Sequence, residues 1–156
     1  VELKGGHTIP FVVVYDWTGG AQDATATNRT SVIFEIIFNE LKMQPDEPKF
    51  IVGDGNATTA GITSLNLALL TPAEETHAWH GLGALAELWG QSPCVTTCKA
   101  YNANQPTRRD YVIANTEDLG LVESFECNWK DVFAVHATFQ FTIRLEELEE
   151  KKRSVN

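Results

Sequence analysis

A carboxylate and a carboxamide follow a short apolar run in this sequence, where Asp54 and Asn56 lie in a Gly-Asp-Gly-Asn turn. The run Phe50–Val52 is bounded by turn residues, which predicts a buried strand. In α/β proteins, ligands and catalytic groups collect at the carboxyl ends of strands. The turn is therefore a candidate site, and the alternative is a purely structural Asp-Gly turn.

Two further candidates lie in the second half of the chain. Asp110 opens a strand pattern directly after Arg108 and Arg109. Its alternative role is an ordinary ion pair with these arginines. His136 lies in an alternating strand pattern, where the alternative is a core histidine whose ring nitrogens are satisfied by neighbours.

Six segments have the β-branched, aromatic or alternating composition of strands, namely Pro10–Asp16, Phe50–Val52, Val95–Tyr101, Tyr111–Ala114, Leu121–Cys127 and Phe133–Leu145. A strand, a helix and a second strand follow one another in the first third of the chain, which is the order of a βαβ crossover unit. We therefore predict an α/β fold with a mixed sheet and flanking helices.

Three helices are predicted between or beside these strands. The principal one is Asn28–Met43, whose apolar spacing predicts a packed face formed by Ile33, Ile36, Ile37 and Leu41. A short helix is expected near Ile62–Leu70. The third is Thr71–Trp89, because its opening Thr-Pro-Ala-Glu supplies an N-cap, a proline at the first helical position and a capping box.

The 156 residues predict one domain, and their formal net charge is −9. An acidic chain as a whole gains no affinity for nucleic acid from counterion release, although bound cations reverse the local charge in a metal-dependent phosphodiesterase. No apolar run approaches the roughly 20 residues of a membrane span, and no signal-peptide pattern opens the chain. We therefore expect a soluble, intracellular protein without a transmembrane segment, with Val1 inside a longer polypeptide.

The three cysteines, Cys94, Cys98 and Cys127, are an odd number, which argues against a complete disulfide framework. No second pair of cysteines or histidines stands at zinc-finger spacing. Cys98 and Cys127 are therefore expected to be small, buried, apolar residues.

Four landmarks appear in a fixed order. The first is the strand Val12–Tyr15, and the second is a helix with Arg29 near its start together with the turn Gly53–Ala57. The third is the run Arg109–Ile113, and the last is His136 in a final strand. This order resembles the C-terminal half of the endonuclease/exonuclease/phosphatase superfamily, with its motifs Gly-Asp-Phe-Asn, Arg-Ile-Asp-Tyr and Ser-Asp-His. The compact form is most similar to the endonuclease-like domains of retroelement polyproteins.

The resemblance covers residues 10–145, with 1–9 as a lead-in and 146–156 as a charged tail. It implies a half or shortened four-layer α/β sandwich of the DNase I-like kind. It also implies hydrolysis of a phosphodiester or nucleic-acid substrate with Mg²⁺. In that reaction Asp54 would activate water, Asn56 would hydrogen-bond the phosphate, Asp110 would orient the site, and His136 would contact phosphate oxygens.

Departures from the family pattern imply a degenerate site. Val135 replaces the Asp of the Asp-His pair, so that partner no longer sets the tautomer of His136. Gly55 replaces the aromatic residue of the turn, and no early strand supplies the family's metal-binding Glu. We therefore expect little activity. The alternative is a non-catalytic structural or interaction subunit whose protein partners cover an exposed sheet face.

Overall fold

The computed structural model describes residues 8–16, 23–43, 48–70, 78–130 and 135–144. Within them the elements follow in this order: β1 (Phe11–Tyr15), α1 (Ala24–Lys42), β2 (Phe50–Asp54), α2 (Thr63–Leu70), β3 (Trp79–Gly81), a 3-10 helix (Ala86–Trp89), β4 (Asp110–Asn115), α3 (Thr116–Leu119), β5 (Val122–Asn128) and β6 (Thr138–Ile143).

The strands form two sheets. The larger sheet is mixed, with the order β1-β2-β4-β3, and the smaller one is the antiparallel pair β5-β6. Strand β1 runs parallel to β2 across α1, so the predicted βαβ unit is confirmed. Strand β4 runs antiparallel to both β2 and β3. The register of the first three strands aligns Tyr15 with Asp54 and Asp54 with Asp110.

Two apolar clusters hold these layers together. On one face of the larger sheet, Ile51 and Ile113 pack with α1 and α2. On the other face, Phe50 and Val112 pack with residues of β5 and β6. The ring of Phe141 in β6 lies 5.5 Å from that of Phe50. The fold is thus a layer of helices, a mixed sheet and a small antiparallel sheet, which confirms the predicted α/β class.

The buried face of helix α1 matches the predicted one only in part, because Leu41 is buried and Ile37 packs against the core, but the other two predicted residues do not. Its buried residues are Ala26, Thr30, Phe34, Phe38 and Leu41, whereas Ile36 is 56% exposed and Ile33 is 39% exposed. The first four are spaced by four residues, so they form one continuous stripe. The buried hydroxyl of Thr30 donates to the carbonyl of Ala26, which removes the cost of burying it.

The predicted helix Thr71–Trp89 is wrong at 78–85, and 71–77 lie outside the described residues. Trp79–Gly81 is strand β3, which pairs with β4, and only Ala86–Trp89 is helical. Pairing with β4 gives β3 main-chain hydrogen bonds and buries the side chain of Trp79. Glycines at 81 and 83 lower the helical propensity that would oppose this pairing.

The predicted strand Val95–Tyr101 is also wrong. This segment has no regular strand and forms bridges only at Cys98, to Thr107 and to His136. The main-chain N–H groups of Thr97 and Cys98 both donate to the carbonyl of Thr107, which interrupts a regular ladder. The last predicted strand is confirmed in part as Thr138–Ile143, while 133–134 and 145 lie outside the described residues.

Two cysteines pair in a way that the sequence analysis did not predict. Cys94 and Cys127 form a disulfide across 33 residues, so Cys127 is not the simple apolar residue expected. Cys98 is the free, buried cysteine, as predicted. No helix in the described part of the chain is long and apolar enough to cross a membrane.

The stripe on α1 yields a stability prediction. Phe34→Ala should lower the free energy of unfolding by about 3–5 kcal/mol, because it empties a wholly buried site. The matched change Ile36→Ala on the same helix should cost less than about 1 kcal/mol, because that side chain is exposed. Urea denaturation of both variants measures the difference. Equal losses would mean that α1 packs through another face.

Candidate active site

The antiparallel pairing of β2 with β4 places Asp54 directly opposite Asp110. Both side chains line the groove between the two sheets. His136 lies two residues before β6, is bridged to Cys98, and reaches Asp110 from that segment. One ligand atom each from Asp54, Asp110 and His136 lies within 4.8 Å of the others. Three of the four candidate side chains, those of Asp54, Asp110 and His136, therefore converge.

The carboxylate of Asp110 lies against the imidazole of His136 and fixes the orientation of the ring. The imidazole Nδ1 lies 3.0 and 3.1 Å from the two carboxylate oxygens of Asp110. With its proton on Nδ1 the ring donates to Asp110, and Nε2, which faces Cys98 Sγ at 3.9 Å, is then the acceptor nitrogen of the ring. Val135 offers the imidazole no acceptor, as expected, and Asp110 supplies one from elsewhere in the chain.

The turn after β2 is held by several hydrogen bonds. The main-chain N–H of Asn56 donates to Asp54 Oδ1 over 2.7 Å, and the N–H of Gly55 donates to the carbonyl of Arg109 over 2.8 Å. Arg109 Nη1 in turn donates to the carbonyl of Asn56 over 3.2 Å. The chain approaches β1 so closely at Gly53, where φ is +142°, that no Cβ could fit there. These contacts fix the position of the Asp54 carboxylate.

Asn56 is the one predicted site residue whose side chain does not join the others. It is buried, and its amide nitrogen donates to the main-chain carbonyl of Asp16. Its φ is +48°, in the left-handed region that asparagine tolerates. Its contacts give it a structural role, because its main chain holds Asp54 and its side chain fastens the turn to the end of β1.

Two supporting residues were not identified from the sequence. The buried hydroxyl oxygen of Thr97 accepts hydrogen bonds from the N–H groups of Arg109, at 3.0 Å, and Asp110, at 2.9 Å. The Tyr111 hydroxyl donates to the carbonyl of Ala57 over 2.7 Å, and burial raises the pKa of Tyr111 to about 12. The threonine-rich composition after Val95 was visible in the sequence, but nothing local distinguished Thr97 as a support for Asp110.

The surroundings of Asp54 disfavour its negatively charged form. Burial raises the pKa of the Asp54 carboxyl above its ordinary 3.8, and the charge of Asp110 acts in the same direction. The hydrogen bond from Asn56 and the charges of His136 and Arg109 act against this rise. A bound cation would stabilise the ionised pair, because it would compensate both carboxylates.

A groove of about 380 Å³ extends from the two carboxylates along the space between the sheets. Its lining is polar at Asp54 and Asp110 and aromatic at Phe11, Phe139 and Phe141. The site is thus an open cleft with its charged groups at one end. The buried thiol of Cys98 lies beside this site, with its Sγ 3.9 Å from His136 Nε2.

Asp16 lies at the same edge of the sheet but on the other face. Its main-chain N–H donates to the carbonyl of Asp54 over 3.0 Å. By strand alternation its side chain follows Val14 toward the helical layer, away from the groove. One of its buried carboxylate oxygens has no hydrogen-bond partner among the residues that the structure describes.

Comparison with known proteins adds no family to this description. The chain matches no protein-family model and no curated protein sequence at a significant level. The resemblance to the endonuclease/exonuclease/phosphatase superfamily therefore stays a hypothesis, resting on the order of the motifs.

The raised pKa of Asp54 predicts a gain in stability on neutralisation. A carboxyl whose pKa is higher in the folded state favours folding in its protonated form, and this contribution is lost as the pH rises from 3.8 through the folded pKa. Asp54→Asn should therefore unfold at a higher urea concentration than the wild type at pH 7, with the difference shrinking below pH 3.8. The control Glu123→Gln, at an exposed carboxylate on β5, should show no such pattern.

The turn before Asp54 should not tolerate a side chain. Gly53→Ala is expected to cost about 3 kcal/mol or more, because a Cβ there would meet the main chain of Val14 at a φ that favours glycine. Gly90→Ala is the matched control, because its φ is +73° but open space surrounds it. It should cost only about 1–2 kcal/mol. Comparable losses in the two variants would contradict a close approach of β1 and β2.

Proposed function

We propose that this chain carries a metal-dependent phosphodiesterase site of the nuclease-like kind, reduced relative to the superfamily it resembles. The observation that carries the proposal is the convergence of Asp54, Asp110 and His136 within 4.8 Å at one end of an open groove. Two carboxylates and an oriented imidazole are suited to holding a water molecule and a phosphate beside each other. We further propose that the fold is a shortened form of the four-layer sandwich.

The roles follow from the contacts of each side chain. Asp54, positioned by the turn, would hold the attacking water and accept its proton. Asp110 orients His136 through Nδ1, which leaves Nε2 directed away from the carboxylate. When this ring is protonated, Nε2–H would donate to a phosphate oxygen and stabilise charge that develops in the transition state. Asn56 is a positioning residue in this proposal.

The residues present fit a Mg²⁺ ion in their chemistry. Mg²⁺ is usually bound by one or two carboxylates, with water and substrate phosphate completing its coordination. Asp54 would contact both the ion and the water that it activates, because both oxygens of Asp110 face the imidazole of His136. The raised pKa of Asp54 supports this assignment, because a buried carboxylate next to another one gains most from a cation. When bound, the ion would neutralise negative charge on the phosphate.

A second candidate function is that of a non-catalytic interaction subunit. Strand β1 is at the edge of the larger sheet, and Val13 and Tyr15 on its groove-side face are 73% and 77% exposed. Neighbouring Phe11 and Val52 add apolar surface in the same groove. An edge strand with apolar side chains is a template for pairing with another polypeptide. This surface supports the second candidate function, in which a protein partner and not a phosphodiester substrate covers the exposed face of the sheet.

Cleavage assays separate the two candidates. With Mg²⁺ or Mn²⁺ the wild type should nick plasmid DNA or cleave an abasic-site duplex slowly, because the residues of the site are fewer than a full superfamily site would supply. Asp54→Ala and His136→Ala should each lower this rate about 100-fold or more, because about 100-fold is the lower end of the range for losing a general acid–base group. Glu123→Gln is the control, an exposed carboxylate on β5 outside the groove.

Equal, near-background cleavage by the wild type and Asp54→Ala would reject the enzyme and favour the interaction subunit. Mg²⁺ binding gives an independent readout. Calorimetric titration should show heat of binding for the wild type that is lost in Asp54→Asn but kept in Glu123→Gln. Mg²⁺ binding without cleavage would mean that the site holds a cation and does no chemistry.

A further inference from the structure

The groove beside the candidate site changes from charged to apolar within one pair of residues. Asp54 and Asp110 face each other across β2 and β4, and the next pair on the same face is Val52 with Val112. Residues two apart in a strand are about 7 Å apart, so apolar surface begins only one small chemical group away from the carboxylates. A ligand whose phosphate lay at the carboxylates would therefore place its neighbouring group on apolar side chains.

The opposite wall of the groove is aromatic. Phe139 and Phe141 of β6 are half-buried in its lining and lie two residues apart, so they share one face of the strand. The ring of Phe141 lies 5.5 Å from that of Phe50 and 6.2 Å from that of Phe11, so these three rings pack together at the end of the groove far from the carboxylates. Along the chain, Phe139 lies between this aromatic end and His136 at the charged end. The apolar part of the groove is therefore short.

The charge of the groove favours a ligand with a single phosphate. Its described lining contains no lysine or arginine, and its acidic residues are Asp54 and Asp110. A polynucleotide is usually held by several cationic side chains along its phosphates. Here a cation bound at the carboxylates would attach one phosphate, and the rest of the ligand would meet uncharged surface. This distribution complements a ligand with one phosphate and no further charge.

We infer that the groove binds a phosphodiester in which one ester group is a single aromatic ring, with the phosphate at Asp54 and the ring between Val52 and Phe139. The inference rests on the proposed function for its phosphate end and goes beyond it by naming the substrate class. A cavity of about 150 Å³ holds benzene, so a groove of about 380 Å³ has room for a ring together with a phosphate group. Offset or edge-on contacts with Phe139 would add to the free energy gained from covered area.

Two small diesters of equal charge measure the contribution of the ring. Dimethyl phosphate and methyl phenyl phosphate each carry one negative charge and differ in a single ester group. In calorimetric titrations of the wild type with Mg²⁺ present, the phenyl ester should bind about tenfold more tightly or better. At about 25 cal/mol for each Å², a tenfold gain requires roughly 60 Å² of apolar surface to be covered.

Three variants locate the ring. Phe139→Ala should remove most of the preference for the phenyl ester, because it deletes the aromatic wall beside the ring. Val52→Phe should remove it from the opposite wall, because the larger side chain occupies the space of the ring, and it decides the location if Phe139→Ala fails to fold. Tyr101→Ala is the matched control, an aromatic residue that is 87% exposed and lies outside the groove lining. It should keep the preference of the wild type.

Equal dissociation constants for the two esters in the wild type, or a preference that both groove variants keep, would overturn the inference. Tighter binding of methyl hexyl phosphate than of the phenyl ester would overturn the aromatic assignment in favour of an aliphatic chain. Cleavage is measured separately, by the release of phenol or methanol. A preference in binding without any release would reject the hydrolytic function and leave the ligand class intact. Failure of both esters to bind with Mg²⁺ would overturn the ligand class together with the proposed phosphate site.

Discussion

The antiparallel register between β2 and β4 sets Asp54 opposite Asp110, and the rest of the candidate site depends on it. Side chains alternate between the faces of a sheet, so a slip of one residue would turn Asp110 toward the helices and bring Tyr111 into the groove. Tyr111 opposes such a slip, because its ring is buried in the helix-side core and its hydroxyl bonds the turn after β2. The core thereby fixes which side chains face the groove.

Holding the carboxylates of Asp54 and Asp110 close together lowers the free energy of unfolding, and the surrounding contacts offset part of this loss. The hydroxyl oxygen of Thr97 accepts hydrogen bonds from the main-chain N–H groups of Arg109 and Asp110. The main-chain N–H of Asn56 donates to the carboxylate of Asp54. His136 gives Asp110 an opposite charge whenever the ring is protonated. Asp54 receives less compensation, since burial and Asp110 still raise its pKa. A buried carboxylate whose charge is only partly compensated is typical of a functional site, where stability is sacrificed for a ligand or a reaction.

The groove is charged at one end and apolar along its length, and each of these two parts supports one of the proposed functions. Its charged end contains groups suited to a phosphate and a cation. Its apolar length, lined by Phe11, Phe139 and Phe141, continues to the exposed edge strand β1. Apolar area of this kind gains free energy when it is covered, by about 25 cal/mol for each Å² removed from water. A partner or a substrate with an apolar part would use both ends of the groove.

The sequence by itself determined the features that depend on near neighbours. Composition and periodicity predicted β1, α1, β2 and the central parts of β4, β5 and β6. Glycines and asparagine predicted the turn that holds Asp54, because turn chemistry is set by adjacent dihedral angles. The order of the motifs also pointed to Asp54, Asp110 and His136, whose side chains the structure brings together, and to Asn56, whose buried side chain bonds the carbonyl of Asp16 instead.

Tertiary structure decided whatever depends on partners distant in sequence. His136 finds its carboxylate 26 residues away in Asp110, although its neighbour Val135 offers none. Cys94 and Cys127 are likewise 33 residues apart, and β3 exists because β4 presents an edge to residues with weak helical propensity. On α1, both apolar faces had helical spacing, and the sheet selected the face with Phe34 and Phe38. Local periodicity shows that a face is apolar, but only packing against another layer determines which face is buried.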